Sequence, residues 1–182
     1  MPTDALGQAL LLTARNAIGK RFGLTASPVG TLAELAEPGA TFVTLTQRGQ
    51  LRGCIGSLEA QRPLVIDVAE NAIAAAFRDP RFPPLEKDEY SRTRVEVSLL
   101  TPAEPFPVVS EADALSRLRP GIDGLILSYG RHRATFLPQV WKSLPEPRQF
   151  VAQLKLKAGL PADFWHEQIA LARYGARKWQ ET

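Results

Sequence analysis

The sequence has little cysteine and little histidine, and both shortages restrict the kinds of site that it can build. Cys54 is the one cysteine, so no disulfide can form within the chain, and His132 and His166 are the two histidines. No Cys/His cluster has the spacing of a zinc site. The sequence therefore predicts no metal site, and it identifies no cofactor.

Long apolar runs and nucleotide-binding loops are missing as well. The chain has no window of about 18 apolar residues that could span a bilayer, and its N-terminus has no basic segment followed by an apolar run. We therefore expect a cytoplasmic protein with no membrane partner. The glycines match neither the P-loop nor the G-x-G-x-x-G spacing, and no serine lies in a nucleophile elbow.

The composition that is present suits a folded domain. The 182 residues are 45% hydrophobic, which provides a core for one domain over residues 1–182 or for two tightly joined subdomains, with no linker or second independent domain. The formal net charge is +3, and the basic residues are scattered along the chain. This charge favours anionic partners, although a nucleic-acid interface would need the basic residues to cluster on one face.

Hydrophobic periodicity and turn residues predict helices interspersed with strand pairs. Helices are expected to begin at Thr3, Pro63, Ser110 and Pro147. Strands are expected over residues 41–46, 51–58, 94–100, 124–129, 132–137 and 164–174, and residues 175–182 are expected to be a polar tail. Because strict βαβ alternation is absent, the pattern favours an α+β fold, a mostly antiparallel sheet with flanking helices.

The stretch Leu-Arg-Gly-Cys-Ile-Gly-Ser-Leu at residues 51–58 has the most distinctive chemistry in the chain. Strand alternation would place Leu51 and Ile55 on a core face, and Arg52 and Cys54 together on the opposite face. A glycine inside a strand often marks a bulge or a close approach by another group, and this strand has two.

Cys54 has two interpretations. It can be a small buried hydrophobe, which is how most free cysteines behave, or a nucleophile whose thiolate form the nearby Arg52 favours. A cysteine enzyme usually also needs a base such as histidine, and the sequence places neither His132 nor His166 beside Cys54.

Charged residues elsewhere are further candidates, each with a structural alternative. Three prolines stiffen the segment 78–84, which either presents Arg81 for binding or forms an ordered corner in which Asp79 pairs with an arginine. Asp79, Glu96 and Asp123 are candidate acid/base groups, but nothing in the sequence pairs them. For Glu96, an exposed sheet face is the simpler explanation.

Several segments, in order along the chain, resemble the AMMECR-domain family, whose bacterial and archaeal members are called AmmeMemoRadiSam system protein A. The hexapeptide at 51–56 looks like the family signature, and further matching blocks lie at 79–85, 97–100, 120–125 and 133–141. The resemblance implies an α+β fold of two subdomains with the hexapeptide near the cleft between them. It also implies an association with Memo-type and radical SAM proteins, and it names no reaction.

The resemblance and the residue patterns together define a candidate site. Cys54 is the candidate nucleophile, and Arg52 is its activator or a clamp for an anion. The candidate ligand-binding residues are Gly53, Ile55, Gly56, Asp79, Arg81, Phe82, Glu96, Asp123, Arg133 and Gln139.

Three functions are compatible with this site. The first is a catalytic subunit or accessory factor in a Memo/radical-SAM-associated modification pathway, which predicts fast and selective alkylation of Cys54. The second is a non-enzymatic module that binds an anionic small molecule or nucleic acid through its arginines. The third is an assembly partner with no ligand of its own, which an exposed apolar or aromatic patch would mark.

Overall fold

The protein, described over residues 4–182 in a computed structural model, has the predicted α+β fold. The helices are α1 (Ala5–Lys20), α2 (Leu64–Phe77), α3 (Glu111–Arg117) and α4 (Pro147–Lys157). The strands are β1 (Thr41–Gln47), β2 (Gln50–Gly56), β3 (Arg94–Leu100), β4 (Glu104–Pro105), β5 (Gly124–Tyr129), β6 (His132–Phe136), β7 (Ala170–Tyr174) and β8 (Ala176–Gln180). Short 3₁₀ segments occupy Ala33–Ala36, Lys87–Arg92 and Pro138–Lys142. Within the described residues, no helix is both long enough and apolar enough to cross a membrane.

The chain divides into two compact units. The first runs to Leu100 and takes in Arg177–Thr182, and the second is Thr101–Ala176. Each unit contains one four-stranded sheet, with the orders β2-β1-β3-β8 and β4-β7-β5-β6. The pairs β1–β2, β1–β3, β4–β7, β5–β6 and β5–β7 are antiparallel, as the sequence predicts.

The first unit packs α1 and α2 against one face of its sheet. Val43 and Leu45 of β1 and Val95 and Val97 of β3 are buried among apolar side chains of both helices. Because side chains alternate along a strand, the residues between them point to the opposite face. The candidate site lies on that opposite face and at the β2 edge of the sheet.

The second unit has a core of its own. Trp141 stacks on Phe150 with 3.8 Å between the ring centroids and an interplanar angle of 2°. Lys155 of α4 is fully buried, and its Nζ donates a hydrogen bond to Glu111 of α3 at 2.8 Å. A buried charge needs such a partner, so this ion pair fixes α3 to α4.

The start of α1 is set by Asp4. Its side chain accepts a hydrogen bond from the backbone N–H of Gly7 at 2.8 Å, which satisfies one of the free donors of the first helical turn. The predicted cap, Thr3, lies outside the described residues.

The prediction that residues 175–182 form a polar tail is wrong. Strand β8 joins the first sheet beside β3, and the Glu181 carboxylate accepts a hydrogen bond from the backbone N–H of Val95 at 2.9 Å and pairs with Arg15. The predicted strand over 164–174 is also shorter, since β7 begins at Ala170. An edge strand such as β8 buries few side chains, so its alternation is weak in the sequence.

Strand β2 contains a bulge at Arg52. The register shifts at this point, so that Thr46 lies opposite Leu51 and Arg52 has no partner on β1. A bulge changes the face to which the neighbouring residues point. Leu51 is therefore 43% exposed, and the prediction that it faces the core is wrong, whereas Ile55 does pack against the core of the first unit.

Candidate functional site around Cys54

A row of polar side chains crosses the sheet of the first unit, on the face away from α1 and α2. Thr44 on β1 lies opposite both Cys54 on β2 and Glu96 on β3. Lys178 of β8 forms an ion pair with Glu96 at 2.9 Å and so extends the row to the fourth strand. Directly opposed residues have Cβ atoms roughly 4.5–5.5 Å apart, so a thiol, a hydroxyl and a carboxylate are neighbours on this face.

The thiol of Cys54 lies against a hydroxyl group. Its Sγ is 3.2 Å from Oγ1 of Thr44, and either atom can be the donor. The cysteine is half-buried. The interpretation of Cys54 as a small buried hydrophobe would require full burial. The half-buried side chain does not meet this requirement.

The backbone of Cys54 is held by the loop that follows α2. Its N–H donates to Oδ2 of Asp79 at 2.9 Å, and its C=O accepts from Nη2 of Arg81 at 3.2 Å. Because β2 is an edge strand, these two groups would otherwise lack a ladder partner, and the loop satisfies them as a neighbouring strand would. The structure thus brings together three of the predicted site residues.

Asp79 anchors this loop as a charged group. The residue is 4% exposed, and Arg81 donates to its two carboxylate oxygens at 3.0 and 2.7 Å. Hydrogen bonds from the Arg81 side chain, together with the one from the backbone N–H of Cys54, hold the pKa of Asp79 well below its usual range in spite of burial. The Asp79 carboxylate therefore stays ionised near neutral pH. This favours a role as a hydrogen-bond acceptor over a role as a general acid or base.

Arg52 binds Glu89, a partner that no pattern in the sequence indicated. Its Nε and Nη2 donate to the two carboxylate oxygens of Glu89 at 3.0 and 2.9 Å, and the two side chains are 11% and 15% exposed. The hydrogen bonds from Arg52 are the main reason that the pKa of Glu89 falls to about 2. The activation of Cys54 by Arg52 stays a prediction, and no hydrogen bond joins those two side chains in the described part of the chain.

The Phe82 ring lies near two guanidinium groups. Cζ of Arg52 is 6.0 Å from the ring centroid, and Cζ of Arg81 is 5.6 Å from it, which is at the outer range of a cation–π interaction. Arg52 and Arg81 are the residues near Phe82 that could hold an anion. Across residues 4–182, no three His, Cys, Asp or Glu side chains are grouped so that they could hold a metal ion.

Packing explains both glycines of the hexapeptide. A Cβ at Gly53 would lie 2.1 Å from the carbonyl oxygen of Ala75 in α2, and a Cβ at Gly56 would lie 2.3 Å from the Phe42 ring. The close approach predicted from the sequence therefore exists, and at Gly53 it is made by the backbone of a helix. A ligand-binding role for either glycine, or for their neighbour Ile55, stays a prediction.

Three of the predicted site residues belong to the second unit. Asp123 is buried and accepts hydrogen bonds from the backbone N–H and Nη2 of Arg119 at 2.9 and 2.7 Å. Arg133 lies on β6, and Gln139 lies in the third 3₁₀ segment. Their participation in one site with Cys54 stays a prediction.

The sequence reasoning missed a buried carboxylate in the first turn of α2. Asp67 is 1% exposed and accepts hydrogen bonds from the N–H and hydroxyl of Thr41, both at 2.7 Å, from Ser57 at 2.7 Å and from Arg62 at 2.9 Å. It therefore ties the start of β1 and the segment after β2 to the helix. The one feature of the sequence that could have indicated this role is an aspartate between two apolar residues, Ile66 and Val68, shortly after the hexapeptide.

Comparison with known proteins identifies the family. The sequence model of the AMMECR1 family matches residues 11–179. The chain belongs to the AMMECR1 family. The matched range includes the polar row, the Asp79–Arg81 loop and the predicted site residues of the second unit, so all of them are part of the AMMECR1 domain.

The relatives of this AMMECR1 domain include archaeal proteins. It is 44% identical to a protein of Methanothermobacter thermautotrophicus over 146 residues, which cover 77% of this chain and 74% of that protein. It is 38% identical to a protein of Aeropyrum pernix over 196 aligned positions, which cover 98% and 80% of the two chains. The crystal structure of an uncharacterized protein from Pyrococcus horikoshii has the same fold, with a TM-score of 0.79 and 35% identity over 96% of this chain and 91% of that chain.

Proposed function

We propose that this AMMECR1-family protein acts on its substrate at the sheet face around Cys54. In this proposal it is a cytoplasmic catalytic subunit or accessory factor of a modification pathway that also contains Memo-type and radical SAM proteins. The observation that carries the proposal is the 3.2 Å contact between Sγ of Cys54 and the Thr44 hydroxyl, within a row of polar side chains. The pathway and its partners rest on the family resemblance alone.

The surroundings of Cys54 favour a reactive thiol. A hydroxyl that donates to sulfur and a guanidinium nearby both stabilise a thiolate. Thr44 supplies the hydroxyl, and the guanidinium group of Arg81 lies close by, with its Nη2 atom 3.2 Å from the carbonyl oxygen of Cys54. Further along the row, Glu96 and Lys178 offer a proton acceptor and a proton donor on the same face.

Alkylation of Cys54 tests the proposal, because the chain contains one cysteine and mass spectrometry therefore reports on one site. We expect iodoacetamide to modify Cys54 at pH 7 faster than it modifies free glutathione. Thr44→Val, which keeps the shape and removes the hydroxyl, should slow the modification by about two- to tenfold, as expected for the loss of one hydrogen bond.

Thr46→Val is the matched control for this experiment. Thr46 lies on the same strand and the same face as Thr44, and it is opposite Leu51 instead of the cysteine. Its substitution should leave the alkylation rate unchanged. Modification of wild-type Cys54 no faster than glutathione would remove the nucleophile role.

A non-enzymatic binding module is the second candidate function. It is favoured by the two guanidinium groups of Arg52 and Arg81 near the Phe82 ring, because arginine recognises carboxylates and phosphates with two parallel hydrogen bonds. Metabolite capture on immobilised protein separates the two functions. A binding module predicts that Arg52→Ala weakens the capture of an anionic compound and that Cys54→Ser leaves it intact.

The partner assignment needs its own experiment. We expect the Memo-type and radical SAM proteins encoded in the same genome to co-purify with the tagged full chain, or to depend on it for activity in a reconstituted mixture. If the three purified proteins neither associate nor change one another's activity, the pathway assignment fails and the chemistry of Cys54 remains open to the alkylation test.

A further inference from the structure

The turn between β1 and β2 has a backbone conformation that its residue type does not favour. Only two residues, Arg48 and Gly49, separate the strands, and their φ angles are 50° and 78°. Two positive φ values are typical of a type I′ turn, whose first central position is normally Asn, Asp or Gly. Among the described residues, Arg48 is the one non-glycine residue with a positive φ.

This turn forms one side of a pocket of about 570 Å³ in the first unit, which we call the hairpin pocket. Its size is within the range of small-molecule sites. Its lining is formed by Gln47, Arg48, Gln50, Leu51, Arg52 and Arg92. Three of these six residues are arginines and none is acidic.

The charges at the hairpin pocket are only partly neutralised. Arg48 forms no ion pair with any other residue in the range 4–182. Arg92 pairs with Asp88 at 3.6 Å, but the two side chains are 54% and 70% exposed, so the pair is weak and solvent-screened. Arg48 and the weakly paired Arg92 are therefore the charges of this pocket that an anionic ligand could use.

Arg52 has one guanidinium nitrogen atom that its glutamate partner does not bind. Nε and Nη2 bind Glu89, whereas Nη1 is buried and has no hydrogen-bond partner within the described residues. Such an unpaired donor is uncommon in a folded protein and needs an explanation. The bulge that directs Arg52 is also a feature found often beside functional sites.

We propose that the hairpin pocket binds the phosphate group of a small molecule, with Arg48 and Arg92 as the contacting residues and Arg52 as the fixed charge behind them. Phosphate matches several converging guanidinium groups. A small molecule fits better than nucleic acid, because the arginines surround one pocket and do not form a stripe across a face. The two proposed contacting residues, Arg48 and Arg92, are not among the candidate residues of the site around Cys54.

Isothermal titration of the full chain with inorganic pyrophosphate tests this site. We expect the wild type to bind pyrophosphate, and we expect Arg48→Gly and Arg92→Gln each to weaken binding by at least about tenfold, as the loss of a charge-assisted contact predicts. Arg48→Gly should not lower the melting temperature of the free protein, since glycine adopts a positive φ without strain. A loss of binding in this variant therefore cannot be attributed to unfolding.

Arg78→Gln and Cys54→Ser are the matched controls. Arg78 is a 59% exposed arginine of the first unit that does not line the pocket, and its substitution should leave pyrophosphate affinity unchanged, as should Cys54→Ser. Absence of wild-type binding, unchanged binding in both pocket variants, or an equal loss in Arg78→Gln would each overturn the proposal. A short oligouridylate that binds at the same arginines and that pyrophosphate cannot displace would overturn the small-molecule assignment.

Discussion

Arg52 and Glu89 form a two-point ion pair that fixes the bulge of β2 to the 3₁₀ segment Lys87–Arg92. Gln47 of β1 adds a third hydrogen bond to the Glu89 carboxylate at 3.0 Å. Arg52 lies two residues before Cys54 on the same strand, so the ion pair also helps to hold the strand that contains the thiol.

The substitution Glu89→Gln should destabilise the protein by about 2–3 kcal/mol, because it removes a charged acceptor and leaves a largely buried guanidinium unpaired. The new amide group also presents donors to Arg52 and Gln47, which are donors themselves. Urea unfolding followed by circular dichroism at pH 7 measures the change. Asp88→Asn is the control, because Asp88 is 70% exposed and pairs with Arg92 at 3.6 Å, and its loss should stay within about 0.5 kcal/mol.

The ion pair between Arg52 and Glu89 should also make the stability of the protein depend on pH. The pKa of Glu89 falls from 4.5 to about 2 in the folded protein. A depressed folded-state pKa adds stability that is fully present above the unfolded value and is lost as the pH falls toward the folded value. The difference in unfolding free energy between wild type and Glu89→Gln should therefore be constant above about pH 5.5 and shrink between about pH 4.5 and 2. A difference that stays constant down to pH 3 would show that the charge of Glu89 contributes nothing.

Gly53→Ala should destabilise the first unit by about 2–3 kcal/mol, as overpacking against a rigid backbone does. Its Cβ would lie 2.1 Å from the Ala75 carbonyl oxygen, so α2 or β2 must move. Gly30→Ala is the matched control, because a Cβ there meets no atom within 4 Å. Thermal unfolding of both variants measures the difference, and equal melting temperatures would contradict the close packing of helix and strand.

The sequence was sufficient to predict most elements of the fold, because they have strong local signals. Alternating apolar residues identify β3, and Pro147 with Gly159 delimits α4. Strand β8 was missed because it contains charged residues and its pairing is with β3, far away in the chain. Pairing between strands that are far apart in the chain produces no recognisable pattern in the sequence of a short strand.

The candidate site could be located from the sequence more readily than its contacts could. The segment around Cys54 and the Asp79–Arg81 loop lie in contact. Asp79 also pairs with Arg81, as the structural alternative for that loop predicts. The partner of Arg52 could not be predicted, because a one-residue bulge reverses the alternation on which the placement of Arg52 beside Cys54 depended. Glu89, which lies in a 3₁₀ segment with no amphipathic pattern, gave no local signal of its role.

Asp67→Asn should cost about 3 kcal/mol or more, because the buried carboxylate accepts hydrogen bonds from five groups and an amide cannot satisfy all of them. Glu70→Gln on the same helix is the control, since Glu70 is 48% exposed and its contact with Arg78 is 3.6 Å long. Urea unfolding compares the two variants. If Asp67→Asn costs no more than Glu70→Gln, the carboxylate does not hold β1 to α2.

Trp179→Ala should destabilise the first unit by about 2–3 kcal/mol, somewhat less than the loss of a fully buried tryptophan, because this side chain is half-buried. The Trp179 ring lies over Gly7 of α1, where any Cβ would be 2.2 Å from its Cδ1 atom, so the indole packs β8 closely against the helix. Gln180→Ala, an exposed position on the same strand, should change stability by less than about 0.5 kcal/mol. Urea unfolding monitored by tryptophan-independent far-ultraviolet circular dichroism measures both. A small effect in both variants would mean that the Trp179 side chain contributes little to the stability of the first unit.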